Sequence, residues 1–311
     1  MRTVSAPAGA SAMHAQTLRP ILVLNAVFSV ANGVLLVLAS PMAATWIGPP
    51  VDWIYALLGV GLLLFGLVLS GVAIRPTPLA VLAITGADLA WVIATTTALL
   101  VWRHDVTPLG WALVLGTNAV VASLAWFQQR AIRQCFRAAG RTDEYDVCIE
   151  VNAPVSADAF WKVLADLGAI QRYMPALRSS SLTVGEQPGV GCVRTCENTA
   201  GQVWSERCEA WEEGTSFSVT FLTESPSFPF PFSTMHGGWR VTPSVTGCQV
   251  RVWWRVMPRR TWAAAVLLPI MTTNARRSIP GAIARMARAA QGLPSHSKRP
   301  LAVPRLHAVL C

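Results

Sequence analysis

Four long apolar stretches fill most of the amino-terminal part of the chain, over residues 21–39, 54–74, 79–102 and 109–127. Each is close to the roughly 20 residues that a helix needs to cross the hydrocarbon core of a bilayer. Prolines in the connections between them predict tight hairpins. We therefore expect an α-helical transmembrane bundle of four spans over 20–128, preceded by a cytoplasmic segment over 1–19.

The rest of the chain has a different composition. The 311 residues are 53% hydrophobic and 13% charged, which is more apolar than an ordinary soluble protein. From about residue 143, however, apolar residues come in short alternating runs separated by glycine, proline and charged residues. This part is long enough to bury a core of its own. We expect a globular domain over 143–291, joined to the bundle by a basic juxtamembrane linker over 129–142.

The arginines predict how the bundle is oriented. Arg2, Arg19, Arg75 and the arginines of 130–141 would lie on one side of the membrane, and Arg103 alone on the other. Because short cytoplasmic loops carry an excess of positive charge, both termini should be cytoplasmic. We therefore expect a protein integral to the cytoplasmic (inner) membrane.

The net charge of +9 also bears on partners. Basic residues next to a bilayer are attracted to anionic headgroups, so membrane lipids are expected partners. No basic run is interleaved with an aromatic RNA-binding motif, so nucleic acid is not an expected partner. The sequence leaves the oligomeric state open.

A few polar residues interrupt the apolar stretches: Asn25, Asn32, Asp88 and Asn118. A carboxyl group inside a membrane is a candidate for a proton or ion site. The alternative is that Asp88 hydrogen-bonds the asparagines and fixes helix packing. We favour the packing role, because one acid without a basic partner or a second acid is thin support for transport.

The cysteines do not predict a metal site. There are seven, without a CxxC pair or zinc-finger spacing. Cys192 and Cys196 would share one face of a strand but stand about 13 Å apart, too far to bind one metal together. We expect no metal and no cofactor.

Beyond residue 143 the pattern predicts an α+β architecture. Alternation predicts a strand at 145–151, and Ser156 caps a helix over 157–167, followed by a second helix at 169–174. Further strands are expected at 180–184, 191–197, 203–211, 216–222, 233–242 and 248–257. A long helix over 261–291, broken or bent at Pro269 and Pro280, follows. The tail over 292–311 is rich in proline and is expected to be disordered.

This order of elements carries several short motifs: IEVNAP at 149–154, FW at 160–161, YMP at 173–175, GVG at 189–191 and GWRV at 238–241. In these features the chain resembles the START-like (SRPBCC, helix-grip) superfamily, and within it the polyketide cyclase/dehydrase-type branch. The resemblance covers about 143–291. It implies an antiparallel sheet around a long carboxy-terminal helix, enclosing a cavity for lipids, sterols, polyketides or other hydrophobic molecules.

Strand alternation assigns the side chains that face such a cavity. On the strands these are Phe217, Val219, Phe221, Met235, Trp239, Val241, Val252 and Trp254. On the terminal helix Met271 and Asn274 are candidates, and the resemblance implies that Tyr173 and Met174 lie at the mouth. The same apolar face is also what a packed core looks like, and only the resemblance favours a ligand cavity.

Five polar residues on the central strands are candidates to enter the cavity: Arg194, Glu206, Arg207, Glu209 and His236. They form no recognisable catalytic or metal-binding motif, and charged strand residues usually face solvent. No catalytic residue is therefore assigned.

Three functions follow from this reading. The leading hypothesis is membrane-anchored binding or transfer of a hydrophobic small molecule, such as a lipid, an isoprenoid or a polyketide-like compound. The second is a membrane-attached polyketide cyclase, aromatase or dehydratase, which needs a polar group inside the cavity. The third is a transporter or sensor in which the bundle around Asp88 acts and the START-like domain regulates it.

Overall fold

A computed structural model of the protein describes residues 10–48, 51–293 and 309–310. The chain divides into two compact units, one ending at Cys135 and one containing the residues from Phe136 onward.

The first unit contains five helices: α1 (Ala10–Leu38), α2 (Ser40–Ile47), α3 (Asp52–Ile74), α4 (Pro78–Val101) and α5 (Pro108–Phe136). Four of them, α1, α3, α4 and α5, are long and apolar enough to cross a membrane. Large apolar side chains such as Val27, Leu67 and Ile93 are more than half exposed on them, as a lipid-facing surface requires. The prediction of four long apolar helices is confirmed.

Two details differ from the sequence prediction. The first connection contains the short helix α2, with a proline in its first turn, where the missing N–H does no harm. Helix α5 continues to Phe136, so the first half of the predicted linker is helical. Ala131, Ile132 and Cys135 are buried and continue the helical spacing of apolar residues.

Helices α1 and α3 pack closely because glycines face each other. A methyl group placed on Gly59 would lie 2.8 Å from the carbonyl oxygen of Gly33, and one on Gly66 would lie 2.5 Å from a methyl carbon of Val30. Only glycine allows the two backbones to approach so closely.

The second unit is an antiparallel sheet with helices on it. Its strands are β1 (Tyr145–Ala153), β2 (Leu177–Val184), β3 (Val193–Asn198), β4 (Val203–Glu212), β5 (Ser216–Phe221), β6 (Phe232–Ser244), β7 (Gly247–Pro258) and β8 (Val309–Leu310). Their order across the sheet is β2-β3-β4-β5-β6-β7-β1-β8. Helix α6 (Ala157–Leu164) and a 3₁₀ helix (Leu167–Arg172) connect β1 to β2, and a 3₁₀ turn (Thr261–Ala263) leads into the long helix α7 (Ala264–Ala290). The predicted helix-grip fold is confirmed.

Local sequence explains the helix boundaries. The Ser156 hydroxyl accepts a hydrogen bond from the backbone N–H of Ala159 and so caps α6 as predicted. Helix α7 runs across Pro269 and Pro280 without interruption, because its buried face, which includes Leu268, Ile279 and Ile283, holds it against the rest of the domain.

The predicted disordered tail falls largely outside the described residues. Of the range 292–311, the structure describes Gly292, Leu293 and the short strand β8, which pairs with Ile149 and Glu150 of β1. For the remaining positions of this range disorder stays an expectation.

Candidate functional site

The pairing register defines which side chains share the inner face of the sheet. Directly opposed residues on neighbouring antiparallel strands project to the same side. Val252 is opposite Ile149 on one side and opposite Trp239 on the other, and Trp239 is opposite Phe217. These four side chains are buried. The inner face is therefore apolar across its centre.

Most of the predicted lining residues lie on this face or against it. Tyr173, Phe217, Val219, Phe221, Met235, Trp239, Val241 and Val252 are buried, and Met174, Trp254 and Met271 are half-buried. Whether they contact a ligand stays a prediction.

Asn274 is placed differently. It is exposed on α7, whereas Thr272 and Ala275 on either side of it are buried. The sequence could not assign a helix face to the residues beyond Pro269, because a break or bend was expected there. Helix α7 continues through Pro269 without a break. Asn274 is therefore left out of the proposed lining.

A bulge in β4 adds an aromatic residue that the sequence reading missed. The register between β4 and β5 shifts between Cys208 and Ala210, so that Trp211 stands opposite Phe217. The rings of Trp211 and Phe217 stack at 5.7 Å, and Trp161 of α6 meets Trp211 edge-on at 5.3 Å. Strict alternation cannot reveal such a bulge, because the extra residue reverses the faces beyond it.

The connection between β5 and β6 supplies two more aromatic rings. The ring of Phe230 lies 5.4 Å from that of Trp204, and Phe228 packs 5.4 Å from Phe230 and 6.5 Å from Phe221. A proline-rich loop gives no alternation signal, so the sequence reading treated this segment only as a turn.

One ion pair is buried on the same face. Arg194 is opposite Glu206, and Glu206 is opposite Phe221, so both charged residues point the same way as the apolar lining. Nη2 of Arg194 lies 2.5 Å from Oε2 of Glu206, and Nη1 donates to the carbonyl oxygen of Leu167 at 3.3 Å. The indole of Trp204 donates to the other carboxylate oxygen at 2.8 Å. The expectation that charged strand residues face solvent fails for this pair.

The electrostatics keep Arg194 charged. Burial by itself lowers the pKa of its guanidinium, because a low dielectric disfavours charge. Attraction to the Glu206 carboxylate, together with the hydrogen bond that Arg194 donates to it, outweighs burial and raises that pKa. A charged guanidinium is therefore held inside the domain.

Among the described residues, buried polar atoms without a hydrogen-bonding partner include Nε of Arg194, Oε1 of Gln171 and Oγ1 of Thr272. Buried polar atoms in folded proteins normally find a protein, water or ligand partner, so each of these has unused hydrogen-bonding capacity.

The other polar candidates lie away from the inner face. Arg207 and Glu209 are exposed, and His236 is half-buried on the outer face, where its Nδ1 lies 2.9 Å from the Thr220 hydroxyl. Glu209 and His236 line an outer depression of about 470 Å³ together with Trp253. These three polar residues therefore do not join Arg194 and Glu206.

In the first unit, Asp88 has partners that the sequence partly predicted. Its Oδ2 accepts hydrogen bonds from the side-chain amides of Asn25 at 2.8 Å and Gln128 at 2.9 Å. Gln128 in turn accepts a hydrogen bond from the Thr85 hydroxyl at 2.7 Å. All four residues are buried. This arrangement favours the packing role. Gln128 was not among the predicted polar residues, because it directly follows the fourth apolar stretch, which ends at residue 127.

Two other polar residues predicted within the apolar helices, Asn32 and Asn118, are not part of this network. Asn32 donates to the carbonyl oxygen of Phe28 in its own helix. Asn118 accepts from the Thr95 hydroxyl at 2.8 Å and donates to that of Thr96 at 3.1 Å, linking α5 to α4.

Cysteine chemistry does not define a site. Among the residues that the structure describes, no group of three or more His, Cys, Asp or Glu side chains is placed to hold a metal ion. Burial raises the pKa of Cys208 to about 11 and that of Cys248 to about 11, so both thiols are protonated and weakly nucleophilic at neutral pH. The absence of a metal and of a cofactor stays an expectation.

Residues 145–291, from the start of β1 to the residue after α7, match a protein-family model. The family is described as polyketide cyclase / dehydrase and lipid transport. The resemblance stated from the sequence is thereby confirmed for this family domain. No curated protein matches the chain.

Several solved structures are similar to the family domain. Ara h 8.0201 is 14% identical with a TM-score of 0.39, and the match covers 48% of this chain and 99% of that chain. Norcoclaurine synthase from Thalictrum flavum, in complex with dopamine and hydroxybenzaldehyde, is 15% identical with a TM-score of 0.39, covering 52% of this chain and 98% of that chain. The Zhui aromatase/cyclase from Streptomyces sp. R1128 is 17% identical with a TM-score of 0.39, covering 48% and 94%.

Proposed function

We propose that the family domain binds or transfers a hydrophobic small molecule at the inner face of its sheet, and that the apolar helices attach it to a membrane. The observation that carries the proposal is that large apolar side chains share this face with one buried ion pair. A lipid, an isoprenoid or a polyketide-like compound has an apolar body and a polar end, and the face offers a partner to each. The unpartnered Nε of Arg194 is one atom that can receive the polar end.

Attachment to the membrane gives this binding a source of ligand. Hydrophobic molecules partition into bilayers, and a tether raises the rate at which a domain encounters them. The arginine distribution supports the predicted orientation, with both termini and the domain on the cytoplasmic side of the inner membrane.

The proposal is tested on a domain released from the folded full chain. A protease site inserted after Gly140, in an exposed turn, allows the domain to be cut away from the purified protein without denaturation. Native mass spectrometry in detergent-free buffer should then show a retained mass that dissociates as a lipid-like compound. A folded domain that is empty, and stays empty when offered total lipid extract, overturns the proposal.

Two neighbouring tryptophans supply a matched control. Trp254 faces inward and Trp253 lies on the outer face over Gly238, and both are half-buried. Trp254→Ala should weaken ligand retention about tenfold, because it removes on the order of 1.5 kcal/mol of apolar contact. Trp253→Ala should leave retention unchanged. Equal effects of the two variants would show that the ligand lies elsewhere.

A cyclase-like or dehydratase-like enzyme is the second candidate, and the inward position of Arg194 favours it. A buried guanidinium can stabilise the negative charge that develops on a carbonyl oxygen when an enolate forms. In protein that is shown to be folded, Arg194→Gln should then lower the rate of conversion of a linear poly-β-carbonyl substrate far more than it lowers retention of that substrate. A variant that converts the substrate at the parental rate would remove Arg194 from this role.

A further inference from the structure

The solvent side of the first half of α7 carries an apolar stripe. Trp262, in the 3₁₀ turn that leads into the helix, is 59% exposed, and Val266 and Ile270 are 37% and 43% exposed. Residues four apart lie above one another on a helix, so the three side chains form one row. The opposite side of the same turns buries Ala264, Ala265 and Leu268. The stripe is therefore additional to the face that α7 packs against its own domain.

Arginines stand at both ends of this stripe. Arg259 and Arg260 precede it, Arg276 and Arg277 follow it, and all four side chains are exposed. No ion pair involves them anywhere in the described ranges. From residue 259 to the last residue of the sequence there is no Asp or Glu. The segment 259–277 is thus apolar in the middle and uniformly positive at its ends.

We propose that the segment 259–277 docks the family domain onto an anionic lipid surface. A bilayer interface fits both features at once: tryptophan and aliphatic side chains insert at the headgroup level, and arginines attract the anionic headgroups. A surface helix that meets only water carries charged residues in place of such a row.

This inference rests on the proposed function, because the purpose of docking is to reach a ligand that the membrane holds. The buried side of α7 packs inside the family domain, and Met271, a predicted lining residue, directly follows Ile270 of the stripe. Docking therefore brings the helix next to the proposed binding site onto the surface that holds the ligand. A molecule leaving the bilayer has a short path to the inner face.

The test uses the full chain with the protease site after Gly140, reconstituted into two kinds of vesicle. One is phosphatidylcholine alone, and the other contains about one third phosphatidylglycerol. After cleavage the vesicles are sedimented and the released domain is measured in pellet and supernatant. The domain should remain with the anionic vesicles at low salt, leave them at high salt, and leave the phosphatidylcholine vesicles under both conditions. Equal release from both lipids overturns the inference.

Variants identify the surface. Arg276→Gln with Arg277→Gln should weaken partitioning about fivefold for each arginine removed. Trp262→Asp should also release the domain, whereas Val245→Asp, at a fully exposed apolar residue of the β6–β7 turn, should not. If Trp262→Asp and Val245→Asp behave alike, the stripe is not the docking surface. A released domain that runs as a dimer through this face also overturns the inference, in favour of a second copy as the occupant.

The same released domain separates this inference from the proposed function. Native mass spectrometry reports whether ligand is retained, independently of sedimentation. A domain that retains ligand but leaves anionic vesicles contradicts the docking alone. A domain that stays on the vesicles but is empty contradicts the ligand binding alone.

Discussion

Arg194 and Glu206 form an ion pair on the inner face of the sheet, with 7% and 6% of their side chains exposed. The indole of Trp204 completes the hydrogen bonding of the carboxylate, and the ring of Phe230 packs edge-on against Trp204. The pair is buried beside the Trp204 indole, and its two charges depend on each other. A buried pair of this kind contributes little net stability, but removing one partner is costly.

Glu206→Gln should destabilise the family domain by about 3–5 kcal/mol, because the guanidinium of Arg194 is left in the interior without its anion. The double variant Arg194→Met with Glu206→Leu should recover most of this loss. Denaturant unfolding of the released domain, followed by tryptophan fluorescence, measures both. A Glu206→Gln domain as stable as the parent would mean that water reaches the pair.

The hydrogen bonds to Glu213 should make the stability of the family domain depend on pH. Hydrogen bonds from the indoles of Trp211 and Trp161 lower the pKa of its carboxyl group below the ordinary value of 4.5. Because the folded pKa is lower than the unfolded one, the stabilisation is present above that ordinary value and is lost as the pH falls through the folded pKa. Glu213→Gln should therefore flatten the acid side of the melting-temperature profile. Glu186→Gln, in the exposed β2–β3 connection, should leave the profile unchanged.

The close contact at Gly59 leaves no room for a larger side chain between α1 and α3. Gly59→Leu should destabilise the bundle by at least 1–3 kcal/mol, roughly the cost of overpacking a close contact, because a side chain there meets the carbonyl of Gly33. Gly61 lies on the same helix with nothing within 4 Å of its added methyl position. Thermal unfolding in detergent should show that Gly61→Leu is harmless, and equal effects would contradict this packing.

Two substitutions at Asp88 should differ in their effect on the stability of the helices. Asp88→Asn keeps a carbonyl oxygen for the amides of Asn25 and Gln128, so the melting temperature in detergent should stay near that of the parent. Asp88→Leu leaves both amides unpaired, at a cost of about 1–3 kcal/mol for each. If Asp88→Asn folds normally but abolishes function, the packing role is wrong and the transporter or sensor hypothesis gains support.

The fold was largely predictable because its signals are local. The long apolar stretches specify the helices of the first unit by length alone. The alternation in β1 and β7 and the cap at Ser156 specify elements of the second unit through nearest neighbours in the chain. The short helix α2 was missed, since a proline in a first helical turn looks the same in the sequence as one that ends a helix.

The candidate site was only partly predictable, because it depends on pairing between distant strands. The inward position of Arg194 follows from its register with Glu206, which no local pattern reveals. The partnership of Asp88 with Gln128 joins residues 40 positions apart. The exposed position of Asn274 has the opposite cause, since α7 runs through Pro269, where a local rule about proline predicts a break.

The bulge in β4 has a consequence for how the domain tolerates change. Trp211 lies beside Phe217 and Trp161 because β4 has one extra residue at the bulge near Glu209. The identity of the side chain at the bulge does not matter for this position. Substitution scans across this stretch should therefore find it permissive, whereas deletion of a single residue would turn the indole outward and separate α6 from the sheet. At this point the number of residues in β4 determines which side chains lie on the inner face of the sheet.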